Sequence, residues 1–191
     1  NVLVAANQES EYVIDRNLHL LTALDIRVKE PDFQIPPNPI AQRRMQHWLT
    51  QHGIQPGEYI VLVPFCSHEN KEWAQANFTE LSTQLANKGQ KNIFLCGPGH
   101  QKKIEVLLPQ NCKASVFMSP ETTIAEMVEL FRFSKMVIGG DTGPIQIAGA
   151  LGLPTIAFFG PTNPKRTHPW GDYRILEIHS TPQEVMDAVG R

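Results

Sequence analysis

Apolar and polar positions along the chain alternate between the period of a strand and that of a helix. Short apolar runs rich in β-branched residues, typical of buried parallel strands, lie at residues 57–65, 92–97, 135–140 and 154–160, with weaker ones at 114–117 and 173–178. Stretches with apolar residues at helical spacing follow them, at 73–88, from residue 99, at 119–134, 143–151 and 181–190. Within 119–134, Pro120 is expected near the start of the helix and Glu121 in its first turn. This alternation predicts an α/β protein, a Rossmann-like three-layer domain with a parallel sheet.

The first part of the chain has a different pattern. Residues 11–25 carry apolar side chains at helical spacing, which predicts an amphipathic helix. The proline-rich stretch "KEPDFQIPPNP" predicts an extended connector, and residues 40–52 again favour a helix. We therefore expect a helical, proline-rich linker over residues 1–55 and a single domain over residues 56–191. Because Asn1 is not an initiator methionine and no signal peptide follows, we expect a piece of a longer protein.

Composition narrows the class of protein. The 191 residues are 41% apolar and 19% charged, which is typical of a globular domain with a substantial core. A formal net charge of −2 argues against a broad basic surface that would bind nucleic acid or an anionic membrane. The cysteines, Cys66, Cys96 and Cys112, form no C-x-x-C pair, which favours a reduced cytoplasmic location.

Three predicted strands end in loops with unusual residues. The first is followed by "CSHENKEW", which contains Ser67 and Lys71, the second by "GPGHQKK", and the strand that ends near Gly139 by "GDTGP". In an open parallel sheet, ligands bind outside the carboxyl ends of the strands. We therefore expect these loops to meet at one edge of the sheet.

The third loop has the best-defined chemistry. A helix that begins near Gly143 directs its free N–H groups and the positive end of its dipole towards the ligand edge, which suits a phosphate or diphosphate. Gly143 lets the backbone approach closely, and Thr142 either caps the helix or donates a hydroxyl hydrogen bond. The alternative, that Asp141 or Thr142 only caps a buried helix, stays open. Lys71 would add a cation, although a lone lysine ahead of a helix is more often simply solvated.

Several other motifs are absent or incomplete. "GPGHQK" has Lys102 at the third glycine position of a dinucleotide fingerprint, and the chain has neither a P-loop nor a G-x-S-x-G elbow. His68, His100 and His168 lack the spacing of metal ligands, so we expect neither a metal nor a cofactor. Thr162 follows Gly160-Pro161, a pair that more often marks a turn than a ligand site.

Taken together, these motifs resemble the heptosyltransferase family of GT-B glycosyltransferases, which build the inner core of bacterial lipopolysaccharide. The matching blocks cover nearly the whole chain: "DRNLHLLTALDI", "VLVPFCSHENKEWAQANFTELSTQL" and "VIGGDTGPIQIAGALGLPTIAFFGPTNPKRTHPWG". The resemblance implies the C-terminal half of a GT-B fold. It also implies that residues 56–191 bind the donor of an inverting transferase, a nucleotide-diphosphate sugar such as ADP-heptose.

The resemblance also assigns roles to residues. It places Ser67 and Lys71 at the donor diphosphate, and it places at the diphosphate and sugar the turn of Asp141, Thr142, Gly143 and Pro144. Gln101 and Gln146 are expected nucleoside contacts. They stand where the family usually has an acid and a histidine, which leaves the identity of the donor open.

The rest of the activity is expected outside this sequence. The resemblance puts the general base and the lipopolysaccharide-type acceptor in a preceding domain, so the isolated chain should bind donor and turn nothing over. The full-length protein would touch the membrane only peripherally. Two rival interpretations stay open: a homologue that keeps the fold as an inactive nucleotide-binding or structural module, and a GT-B enzyme that uses another sugar nucleotide. A Rossmann dehydrogenase is a distant third.

Overall fold

A parallel sheet of six strands forms the centre of the protein. The computed structural model describes residues 10–28 and 30–190, so the first nine residues of the predicted linker, Lys29 and Arg191 lie outside the description. The strands are β1 (Tyr59–Val63), β2 (Lys91–Phe94), β3 (Val116–Met118), β4 (Met136–Gly140), β5 (Thr155–Phe159) and β6 (Tyr173–Glu177). Their order is β3-β2-β1-β4-β5-β6, and every neighbouring pair is parallel. The predicted α/β class with a parallel sheet is confirmed.

Helices connect the strands. They are α1 (Val13–His19), α2 (Pro39–Gln51), α3 (Gln75–Asn87), α4 (Gln101–Glu105), α5 (Ile124–Arg132), α6 (Gly143–Ala150), α7 (Pro164–Thr167) and α8 (Pro182–Val189), with 3₁₀ turns at Leu20–Leu24 and Glu69–Lys71. Across the described ranges 10–28 and 30–190, the structure contains no helix long and apolar enough to cross a membrane.

Burial on both faces explains the continuous apolar strands. All five residues of β1 are buried, and they alternate between two cores. Tyr59, Val61 and Val63 pack with residues of α2, α5 and α6 on one face. Ile60 and Leu62 pack with residues of α3, α4 and α8 on the other. A strand covered on both faces has no solvent side, which is why its sequence lacks polar alternation.

Some predicted boundaries are wrong for physical reasons. Helix α5 begins at Ile124, not near Pro120, because Thr123 and Glu126 form a capping box that satisfies the first N–H groups. Trp73 precedes α3 instead of starting it, and its fully buried ring stacks on Phe158 of β5. The helix predicted over residues 11–25 changes after His19 into the tighter 3₁₀ turn.

A buried acid ties the proline-rich connector to the domain. Glu129 has no exposed side-chain surface, and its Oε1 accepts the backbone N–H of Asn38 at 2.9 Å. Its Oε2 lies 3.3 Å from Nε of Arg132, whose Nη2 donates to the carbonyl of Ile35 at 2.9 Å. Helix α2, which follows the connector, contributes Met45 to the core. The division of the chain at residue 56 stays a prediction.

The strand order creates a switch point between β1 and β4. After β3 the chain returns to pair β4 beside β1, on the side opposite β2, and Val63 pairs with Gly139 at the carboxyl ends of the two strands. The helices that follow these strands run to opposite sides, so a crevice opens between their loops. The loops after β1 and β4 carry Lys71 and Asp141.

Replacement of Glu129 by leucine should destabilise the fold. The change leaves the Asn38 N–H without its buried acceptor and the Arg132 guanidinium without its ion-pair partner, and loss of one partner of a buried ion pair costs about 3 kcal/mol. We expect the free energy of unfolding, measured with urea, to fall by about that amount. The matched change Glu80→Leu, on the exposed surface of α3, should shift it by less than about 0.5 kcal/mol. Equal effects from both variants would contradict the role of Glu129.

Candidate functional site at the switch point

Lys71 and Asp141 meet across the switch point. Lys71 Nζ lies 3.3 Å from Oδ2 of Asp141, with 23% of the lysine side chain and 9% of the aspartate side chain exposed. The pair joins the loop after β1 to the loop after β4, as expected from the parallel sheet. An ammonium group has three donors, so the pairing leaves others available.

Close packing against Gly140 brings the two loops together. A Cβ added to Gly140 would lie 2.6 Å from Cys66 Sγ and 2.7 Å from the carbonyl oxygen of Lys71, closer than real Cβ atoms come. The same sulfur lies 3.5 Å from that carbonyl as a hydrogen-bond donor. Burial, aided by the charge of Glu72, raises the pKa of the Cys66 thiol to about 12, so the group stays protonated at neutral pH. The absence of a side chain at residue 140 is therefore structural.

The amino end of α6 faces open space. Thr142 occupies the N-cap position, yet its side chain makes no capping hydrogen bond, and its buried Oγ1 has no partner among the described residues. Asp141 does not cap the helix either, because its carboxylate pairs with Lys71. A Cβ added to Gly143 would meet no atom of the described residues within 4 Å. The capping alternative is thus unsupported, and the first turn of α6 keeps free N–H groups.

An apolar cavity of about 190 Å³ adjoins this helix end. Its walls are the exits of β1 and β2, the first turn of α5, and Pro144 of α6. His100 lines it and packs edge-on against Phe65, with ring centroids 4.9 Å apart. Gln101 is exposed, donates to Glu105 and is not part of the wall, so its contact with a nucleoside stays a prediction.

The remaining predicted residues occupy different surroundings. Gln146 of α6 donates its side-chain amide to the carbonyl of Thr167 at 2.7 Å, which links α6 to α7. Ser67 is exposed on the loop after β1, as is His68. His168 is stacked between Tyr12 and Tyr173, with ring centroids 3.9 and 4.7 Å away. The ring of His168 is therefore held between two aromatic side chains, whereas His68 lies on the same loop as Lys71.

Two further facts bear on ligand chemistry. Thr162 follows β5, and its hydroxyl is buried without a hydrogen-bond partner in the described part of the chain. Within that same part, no group of three or more His, Cys, Asp or Glu side chains is placed to hold a metal ion.

Sequence reasoning missed the residues that shape the loop after β1. Glu72, half-buried beside Lys71, accepts the backbone N–H of Cys66 at 2.9 Å. Trp73 anchors the far end of the loop, since its Nε1 donates to the carbonyl of Ser180 at 2.7 Å. The paired glycines at 139 and 140 were the available signal, because glycine at a strand end often marks a close backbone approach.

The fold and the site place the chain among the Rossmann-type α/β domains, with the candidate site at the switch point of the sheet. Residues 2–185 match the family model of glycosyltransferase family 9 (heptosyltransferase). The chain therefore belongs to the heptosyltransferase family of glycosyltransferases, and the resemblance inferred from its motifs is confirmed.

Similar proteins agree with this assignment. Lipopolysaccharide heptosyltransferase 3 of Escherichia coli is 28% identical over 178 residues, which cover 86% of this chain and 52% of that protein. A solved glycosyltransferase of family 9 from Veillonella parvula superposes with a TM-score of 0.87 at 15% identity, over 97% of this chain and 61% of that one. The E. coli heptosyltransferase WaaC with ADP gives a TM-score of 0.73 at 23% identity, over 100% of this chain and 58% of that one.

The likeness to the solved heptosyltransferases confirms the GT-B type of fold. The chain spans about half the length of the first of these relatives.

Alanine at the two glycines of this site should have opposite outcomes. Gly140→Ala forces its methyl group into Cys66 Sγ and the Lys71 carbonyl, and overpacking of this kind costs about 2 kcal/mol. The methyl group of Gly143→Ala meets no atom in the described part of the chain, so this variant should change the free energy of unfolding by less than about 0.5 kcal/mol. Thermal or urea unfolding of both variants checks this. Full stability of Gly140→Ala would mean that the close approach is not a constraint.

Proposed function

We propose that this chain is the donor-binding part of a glycosyltransferase that uses a nucleotide-diphosphate sugar, with ADP-heptose as the first candidate. The observation that carries the proposal is the Lys71–Asp141 pair beside the open amino end of α6. The ammonium group of Lys71 and the free N–H groups of α6 favour negatively charged oxygens, and both lie where ligands bind in open α/β sheets. The family assignment makes the anion the diphosphate of a sugar nucleotide.

The diphosphate lies against α6 and Lys71 in this proposal. The N–H groups of the first turn of α6 and the hydroxyl of Thr142 donate to phosphate oxygens, and Ser67 supplies a second hydroxyl from the facing loop. The missing side chain at Gly143 lets the diphosphate reach the backbone. Pro144 has no N–H, so the donors of this turn are the N–H groups of Gly143 and Ile145 on either side of it.

The same groups assist transfer of the sugar. When the bond between the sugar and the phosphate breaks, negative charge grows on the departing diphosphate. A fixed ammonium group and a helix amino end stabilise this charge more in the transition state than in the ground state. Asp141 holds Lys71 in place, and its free oxygen is an acceptor for hydroxyl groups of the sugar.

The cavity beside Pro144 receives the base of the nucleotide. Its largely apolar walls suit a flat aromatic ring, and it adjoins the proposed diphosphate position. The E. coli heptosyltransferase WaaC was solved with ADP, which supports adenine as the base. Gln146, bonded to Thr167, acts here by fixing α7 near the nucleotide.

The acceptor and the general base belong to a further domain in this proposal. Exposed apolar side chains follow α1, namely Leu20, Leu24, Ile26 and Val28, at 41–69% exposure. A further domain that covers this surface would remove it from water. The isolated chain then binds donor without turning it over. An inactive family member that only binds nucleotide is the alternative.

Calorimetric titration of the 191-residue chain with ADP and UDP tests the proposal. We expect saturable binding of ADP, preferred over UDP, and a loss of at least about tenfold in affinity for Lys71→Ala, because a charge-assisted hydrogen bond contributes about 1.5–3 kcal/mol. Lys88→Ala, an exposed lysine after α3, is the matched control and should bind like the wild type.

A second variant separates binding from stability. Gly143→Ala should keep the unfolding free energy of the wild type and still bind ADP more weakly, since its methyl group occupies the proposed diphosphate position. Absence of binding to every nucleotide by the folded wild-type chain would overturn the proposal. Unchanged ADP affinity in both Lys71→Ala and Gly143→Ala would show that the nucleotide binds elsewhere on the chain.

A further inference from the structure

We propose that Glu72 is a positioning residue for Lys71: its carboxylate clasps the backbone of the loop after β1 and so presents the lysine to the switch point. The ligand-dependent part of this inference rests on the proposed function, whereas the loop geometry does not.

The clasp closes the loop from Cys66 to Glu72. Oε1 of Glu72 accepts the N–H of Cys66 at 2.9 Å, and Cys66 Sγ lies 3.5 Å from the carbonyl of Lys71, the residue just before Glu72. Inside this ring, Lys71 N–H donates to the carbonyl of His68 at 3.0 Å. Two side chains thus fix the backbone on both sides of Lys71.

The rest of the loop offers little else to hold it. Residues 67–70 are exposed, and between Pro64 and Glu72 the carboxylate of Glu72 is the one side chain of the described residues that accepts a loop N–H. The neighbouring anchors lie outside this stretch, at Gly140 and at the buried ring of Trp73. Without the clasp, the loop backbone that carries Lys71 loses an anchor and the lysine keeps only its contact with Asp141. Part of its ordering then falls to the ligand, at a cost in affinity.

The charge of Glu72 argues that it acts through its acceptor oxygen. Lys71 Nζ lies 3.3 Å from Asp141, Glu72 accepts the N–H of Cys66 at 2.9 Å, and Cys66 Sγ lies 3.5 Å from the carbonyl of Lys71, so the two acids and the cation lie close together. A carboxylate near a proposed diphosphate repels it. If charge alone mattered, an acid here would only weaken binding. Glutamine keeps an acceptor oxygen and removes the charge, so it separates the two contributions.

Hydrogen exchange of the Cys66 amide tests the clasp without ligand. In the unliganded 191-residue chain, Glu72→Ala should speed exchange of this amide on the order of 10- to 100-fold, the worth of a hydrogen bond to a charged acceptor. The exchange rate in Glu72→Gln should lie between that of Glu72→Ala and that of the wild type. Glu69→Ala, which removes an equal charge from an exposed side chain of the same loop, should leave the exchange rate unchanged.

ADP affinity then tests the consequence for Lys71. Glu72→Ala should raise the Kd about three- to tenfold, because the Lys71 side chain, less ordered without the clasp, must be immobilised on binding. Glu72→Gln should restore the wild-type Kd or lower it, and Glu69→Ala should not raise it. Far-UV circular dichroism confirms that each variant is folded.

The outcomes separate the two proposals. Wild-type protein that binds no nucleotide defeats the proposed function, while faster Cys66 exchange in Glu72→Ala would still support the clasp. Unchanged exchange in Glu72→Ala overturns the clasp whether or not ADP binds. A Kd for Glu72→Gln raised as much as that for Glu72→Ala shows that the charge, and not the acceptor, acts on Lys71.

Discussion

The close approach of the loop after β1 to the backbone of Gly140 is the contact on which the candidate site depends. Residue 140 carries no side chain, so Cys66 Sγ and the carbonyl of Lys71 can rest directly on the end of β4. This packing brings Lys71 to Asp141, 70 positions away in the sequence, at the point where β1 and β4 diverge. A methyl group at residue 140 would push the loops apart and the ammonium away from α6.

The resulting site is a cation held in place beside a helix amino end. Asp141 restrains the flexible lysine, which otherwise loses about 2 kcal/mol of rotamer freedom on becoming fixed. The acid also lowers the net charge of the site, so α6 must supply much of the attraction for an anion. Thr142 and Gly143 fit that division: among residues 10–28 and 30–190, the hydroxyl has no hydrogen-bond partner and the space next to the glycine is open.

The strands were predictable because buried parallel strands appear in the sequence as apolar runs. The meeting of the loops was predictable because the carboxyl ends of parallel strands lie at one edge of the sheet. The pairing of Lys71 with Asp141 was not, since periodicity does not reveal that β1 and β4 are neighbours. The start of α5 was missed because the Thr123–Glu126 capping box outweighs the helix signal of Pro120. Glu72 was overlooked because its contact with Cys66 depends on the irregular backbone of a loop. Neither helical nor strand spacing encodes such a contact.

The most direct test of the anion site is titration of the isotope-labelled chain with inorganic pyrophosphate, followed by the assigned backbone amide signals in NMR spectra. Pyrophosphate carries the charge of the proposed donor without its base or sugar. The account predicts saturable shifts centred on the amides of Gly143 and Ile145 and on the loop that carries Lys71. Saturable shifts confined to another surface, or no shift at the amino end of α6, would contradict it.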